Sequence, residues 1–325
     1  MKKIIKENLW FIISLVIIVV LFNIKLPYYV SMPGGTIEIN NRISCVKCSS
    51  INGSLNLLYV TENEATIPTF LLSFVIPNWD LMKLSEQQVD NETMEDINNR
   101  NQLMLEESID AATMVAYKAS NKRIDVLGKK NIVIATIKNN SLKIGDEILE
   151  VDNKKMENVV DIREIVSDKN KGDLVKIKVK RDNNERIIET AIKEEDGRKI
   201  IGAVIATDYD YKIDPKIELK FRENESGASG GLMIALSIYS RISSEDIIKG
   251  RKIAGTGTID YEGNVGEIDG IKYKIMGAYK NGMDLVFVPT SNYKEAIRIK
   301  KKYNYKMKIV KVSKFDDVIN YLANM

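Results

Sequence analysis

The segment Leu9–Ile24, LWFIISLVIIVVLFNI, restricts the fold more than any other stretch, because only Ser14 and Asn23 interrupt an otherwise apolar run. A helix apolar on every side has no wet face to turn outward, so it belongs inside a large core or a membrane. With its apolar flanks the run approaches the ~20 residues that a bilayer-crossing helix needs. Lys2, Lys3 and Lys6 precede it, and Lys25 follows. That basic excess predicts an amino end kept in the cytoplasm and an exported remainder. Trp10 and the Tyr28–Tyr29 pair stand where interfacial aromatics belong. The bulky Phe22-Asn23-Ile24-Lys25 offers no small-residue cleavage site. The sequence therefore predicts an uncleaved, single-pass transmembrane anchor over residues 1–27, with the rest of the chain outside the cell membrane.

A chain of 325 residues has room for two domains beyond such an anchor. Its 48 basic and 45 acidic residues nearly balance, which argues against a nucleic-acid partner. Histidine is absent. Its absence removes every Ser–His–Asp and Cys–His catalytic system and the usual imidazole zinc sites, so no metal is expected. No GxxxxGK[ST] run is present, so neither ATP nor any other cofactor is expected. Cys45 and Cys48 form a lone C-x-x-C, read as a local disulfide or two free thiols. No βαβ pattern surrounds them to make a redox site.

Beyond the anchor, Ser31-Met32-Pro33-Gly34-Gly35 reads as a turn, and residues 36–39 and 53–60 read as strands. Residues 85–119 have a helical pattern. A different rhythm occupies residues 125–193: a strand at 132–137, a turn and strand through Leu142-Lys143-Ile144-Gly145-Asp146-Glu147-Ile148-Leu149, a short helix with Val159, Ile162, Ile165 and Val166, then two alternating strands. From residue 196 to 325 strands and helices alternate, the pattern of a layered α+β fold.

The run L-x-x-G-D-x-I-L-x-V-[DN], the short helix and K-G-D-x-V-x-[IL]-x-V-x-R-[DN] resemble a bacterial PDZ domain. That resemblance implies a β module that receives an extended peptide at a sheet edge. It places the carboxylate-binding loop before Ile132, around Leu127 and Gly128.

Two segments carry chemistry. In Glu225-Ser226-Gly227-Ala228-Ser229-Gly230-Gly231 a serine stands between glycines at the mouth of an apolar helix. Glycines allow close approach of a substrate backbone, and free N–H groups at a helix start stabilise an oxyanion. The second segment runs from Ile253 to Lys274 through a Gly-rich corner into a helix bearing Lys272 and Lys274. Without histidine, a desolvated lysine is the natural proton acceptor for a serine.

Together these segments resemble the Lon-type protease domain. Its G-P-S-A-G motif corresponds to Gly227-Ala228-Ser229-Gly230-Gly231. Its T-G-[ET]-[IV]…G-x-V-x-x-I-G-G-[LI]-x-x-K block corresponds to Thr256–Ile259 followed by Gly263–Lys274. The resemblance implies Ser229 as nucleophile, Lys274 as general base and Thr256 as the hydroxyl that positions the lysine. Gly227, Ala228 and Gly230 then form the oxyanion and substrate loop. Ala228, Gly230 and Asp269 depart from the family pattern, which has proline, alanine and glycine there. Helical periodicity alone favours Lys272, which is kept in reserve.

Glu107-Ser108-Ile109-Asp110-Ala111-Ala112 resembles the helix before the central strands of that family, so the PDZ-like module is expected to be inserted into a protease domain formed by residues 31–120 and 196–325. The overall likeness is to PDZ-containing, membrane-anchored Lon-like proteases of Gram-positive bacteria. It implies an ATP-independent endopeptidase acting on exported or membrane proteins, and by the same likeness a hexamer. Two rival readings stand: a non-catalytic PDZ scaffold or inactive relative, and a Ser–Lys peptidase of signal-peptidase type on a mainly β fold.

Overall fold

The computed structural model describes residues 8–45, 48–87, 94–137, 140–156, 159–195, 197–222 and 224–325. The apolar run forms helix α1, Leu9–Asn23, with none of its residues buried. At 15 residues it is ~22 Å long, short of the ~30 Å of bilayer hydrocarbon. Among the described residues no helix is long and apolar enough to cross a membrane. The helix ends before Lys25, which already belongs to strand β1, Lys25–Glu38, where it faces Thr66. Residues 1–7 of the anchor expected over residues 1–27 lie outside the described part.

β1 runs antiparallel to β2, Ser54–Thr66, with a register shift between Pro33 and Thr36. The turn expected at residues 31–35 is thus an irregular stretch of strand. A short helix α2, Ile67–Ser73, follows, opened by proline in its first turn and a capping box between Thr66 and Thr69. Strand β3, Asp80–Lys83, returns to pair with β1. Helix α3, Met94–Ala119, then crosses the molecule.

Strand β4, Arg123–Thr136, leads into the inserted module, which holds β5 (Glu147–Val151), helix α4 (Val159–Ser167), β6 (Leu174–Arg181), β7 (Asn184–Ala191) and β8 (Ala203–Asp214). The sheet order is β8-β4-β5-β6-β7. Val133, Ile148, Ile162, Val166, Val175 and Ile177 pack together as its own core. The Gly145-Asp146 motif has a structural role: the fully buried Asp146 carboxylate accepts two hydrogen bonds from Arg181, at 2.6 and 2.7 Å, and one from the Lys143 N–H. A buried charge needs such complete pairing.

β4 and β8 pair from Thr136–Ala203 down to Arg123–Asp214, so the lower part of the pair leaves the module as a two-stranded ribbon. It is fastened to α3 and beyond. The Tyr211 hydroxyl donates to Asp110 at 2.9 Å, and the Tyr261 hydroxyl donates to the Thr207 carbonyl at 2.6 Å.

The carboxyl-terminal part follows as α5 (Gly231–Ile242), β9 (Lys252–Gly255), α6 (Ile271–Lys280), β10 (Leu285–Pro289), α7 (Thr290–Lys302), β11 (Lys308–Val312) and α8 (Phe315–Ala323). The chain leaves β9 after Gly255, and Thr258–Ile259 forms a separate two-residue strand paired with Val265–Gly266. The central sheet has the order β11-β10-β9-β2-β1-β3, parallel from β11 through β2. Period-two alternation sends Leu285 and Phe287 to the core shared with α3, α5 and α8. It sends Val286 and Val288 to the core under α6 and α7. The amino-terminal strands and the carboxyl-terminal half therefore share one layered core, with the module inserted between them. Cys45 and Cys48 form a disulfide.

Candidate active site

Ser229 lies in a single 3₁₀ turn, Ala228–Gly230, that feeds directly into α5. Gly227 enters the turn at φ 92°, a conformation that disfavours a side chain. Its N–H donates to the Asn101 carbonyl of α3 at 2.9 Å. The Ser108 hydroxyl, also on α3, donates to the Ala228 carbonyl at 3.1 Å. From the other side, the Gly257 N–H donates to the Ser229 carbonyl at 2.8 Å and the Thr256 hydroxyl to the same oxygen at 3.1 Å. The turn that carries Ser229 is thus clamped by α3 and by the loop after β9.

The glycines here are close-packing requirements. A Cβ on Gly231 would lie 2.6 Å from Ser108 Oγ and 2.7 Å from Ile259 Cγ2. One on Gly230 would lie 2.7 Å from the Leu57 side chain. The departure from alanine at Gly230 is therefore matched by a leucine pressed against the turn.

Lys274 projects from α6 and is 4% exposed. The helix starts at Gly270, at φ 68°, and approaches β1 closely, since a Cβ on Gly277 would lie 3.2 Å from the Gly35 Cα. Burial lowers the Lys274 ammonium to about 8, and the charges of Asp269 and Glu62 oppose that fall. Asp269, which departs from the family's glycine, therefore acts on Lys274. Lys272 is ion-paired with Asp80 of β3, whose carboxylate also accepts from the Tyr273 hydroxyl. Its amine is thus taken up by an acceptor and lies partly in solvent. Lys272, which periodicity favoured, is thus engaged at the surface, whereas Lys274 is the buried amine of this helix.

Two expectations are corrected. Thr256 is fully buried, and its hydroxyl serves the Ser229 carbonyl rather than orienting the lysine. Leu127 and Gly128 lie inside β4: Gly128 faces Asp210 of β8, and Leu127 is the extra residue where the ladder shifts between Asp210 and Tyr211. They form no loop before Ile132, which itself pairs with Ala206 on one side and Glu147 on the other. The outer strands of this sheet are β8 and β7, and α4 packs near β8. Ser108 went unrecognised as part of the site, although the sequence placed it on the right helix. Its small polar side chain at a buried, glycine-facing position was the available signal.

Residues 223–324 match the Lon protease (S16) C-terminal proteolytic domain, and residues 120–192 match a PDZ domain. The chain is 35% identical over 96 residues to Lon protease of Aster yellows witches'-broom phytoplasma, covering 30% of this chain and 12% of that protein. It is 32% identical over 117 residues to Lon protease 2 of Borreliella burgdorferi, covering 35% of this chain and 14% of that one. Lon protease of Mesomycoplasma hyopneumoniae is 32% identical over 98 residues, 30% of this chain and 11% of that protein. The chain thus spans a small part of these relatives. What it shares with them is a Lon-type proteolytic domain, which supports a serine peptidase.

Proposed function

We propose that this chain hydrolyses peptide bonds without ATP, using Ser229 as nucleophile and Lys274 as general base. The observation that carries this reading is the burial of Lys274, which brings its ammonium down to about 8. A neutral amine takes the hydroxyl proton of Ser229 as its oxygen attacks the substrate carbonyl. The amino end of α5 favours the negative charge that develops there. The amine then returns the proton to the departing nitrogen, and water releases the acyl group. Thr256 and Ser108 hold the turn on which the nucleophile rides.

Substrates are exported or membrane proteins with unfolded segments, since the reading includes no unfoldase. Their extended ends add to β8 beside α4, where a sheet edge and a helix form the setting for β-augmentation. Attachment to a cell membrane through α1, with the catalytic part on the exported side, is supported by the unburied apolar surface of that helix and by the lysines before it. A hexameric ring, the assembly implied by the family likeness, belongs to the same reading.

The test is labelling with a serine-directed fluorophosphonate, together with casein cleavage in the absence of ATP. Wild-type protein should label and cleave, whereas S229A and K274A should do neither. Equal behaviour of all three would leave a non-catalytic peptide-binding scaffold.

A further inference from the structure

The turn after β2 carries apolar side chains that the catalytic fold does not cover. Leu71 is 59% exposed, Phe74 71% and Val75 78%. Soluble proteins rarely leave such side chains together in water without a partner. Three observations indicate what covers them. Helix α2, which presents Leu71 and Leu72, packs against the unburied α1, so the two apolar surfaces are continuous. At the exit of α1, the ring of Tyr28 stands 5.3 Å from that of Phe70, which stands 5.3 Å from Phe74. A basic side chain flanks the tip: the Tyr303 hydroxyl donates to Asn78 at 2.9 Å, and the exposed Lys302 at the end of α7 lies over the Tyr303 ring, 5.1 Å from its centre.

An apolar tip with an aromatic collar and a lysine at its rim suits the surface of an anionic bilayer. We propose that residues 70–79 are a second membrane contact, seated at the lipid–water boundary beside α1. The contact rests on the membrane attachment proposed above and adds a specific orientation to it. The tip leads directly into β3, whose Asp80 holds Lys272 and Tyr273 on the helix that bears Lys274. Catalysis is thereby held against the membrane surface, where only segments emerging from the bilayer or lying along it arrive readily.

The chain has two tryptophans, Trp10 at the start of α1 and Trp79 beside the tip, so each can report one contact. The full-length chain carrying W10F is placed in phosphatidylcholine–phosphatidylglycerol vesicles whose acyl chains are brominated near the headgroup. Trp79 emission should fall about twofold relative to unbrominated vesicles, as for a side chain at the interface. The W79F protein reports on α1 through Trp10. Quenching of Trp10 without quenching of Trp79 would overturn the second contact and leave the anchor standing. Loss of quenching at both positions would remove the anchor reading and this one with it. A shift of Trp79 emission with protein concentration in lipid-free detergent would mean that a second copy covers the tip, which also overturns the proposal.

Discussion

The hydroxyl of Ser108 donates to the carbonyl of Ala228 at 3.1 Å, tying the long helix α3 to the turn that carries the nucleophile. The same oxygen stands where a side chain on Gly231 would otherwise go. One small polar residue thus both fastens the turn and fills the space under it.

Replacing it should slow the chemistry without weakening substrate capture. Loss of one neutral hydrogen bond is worth roughly 1 kcal/mol, or about a five- to tenfold fall in rate if it appears in the barrier. S108A should lower kcat by that factor and leave KM unchanged. Steady-state kinetics on a fluorogenic peptide check this, and an equal change in KM would argue for a purely structural role.

Lys274 ties activity and stability to pH in opposite ways to those of a surface lysine. Its folded value, about 8, is below the ordinary ~10.4, so the fold disfavours the charged amine. The unfolded chain then binds more protons than the folded one between those values, and stability rises with pH across that window. Below pH ~8 the full cost is present, roughly 3 kcal/mol at ~1.4 kcal/mol per unit. K274M should therefore be inactive yet more stable than wild type at pH 7, with the difference shrinking as pH rises toward 10. Thermal unfolding at several pH values tests this.

Asp269 opposes the fall of the Lys274 value, as does Glu62. D269G should lower the lysine further and move the rising limb of the pH–activity curve to lower pH. E62Q should move it the same way. A curve that moves to higher pH in either variant would contradict the assigned electrostatics.

Removal of the inserted module depends on where the chain is cut. Excising residues 125–193 would leave most of β8 without its partner, including Tyr211, which binds Asp110. Excising residues 132–206 and joining Asn131 to Thr207 by a short turn keeps the ribbon paired, because those two residues face each other. The second deletion should yield a folded, cooperatively melting protein and the first should not. Circular dichroism and thermal melts distinguish them.

Much of this architecture could be read from the sequence. The glycine-flanked serine, the helix bearing Lys274 and the alternating strands of residues 285–288 and 308–312 carry strong local signals. Other features depend on distant parts of the chain. Lys272 and Lys274 share a helix, and only Asp80, far away in sequence, takes the first into an ion pair. The Pro33-Gly34-Gly35 stretch carries turn residues, yet it continues as strand because β2 pairs with it and α6 presses on Gly35. Leu127 and Gly128 look like loop residues until β8 pairs on either side of them, with Gly128 facing Asp210 and Val126 facing Tyr211. Tertiary pairing overrode local preference in each of these cases.

The two chain crossings between module and core lie side by side as one ladder, from Arg123–Asp214 upward. A lone linker lets its cargo tumble, whereas a pair of bonded strands behaves as a stalk that bends little and twists more easily. If the proposed reading holds, a polypeptide gripped at the far end would be presented to Ser229 at a restricted height and bearing, and the stalk, as well as the residues that flank the scissile bond, would set reach along the substrate.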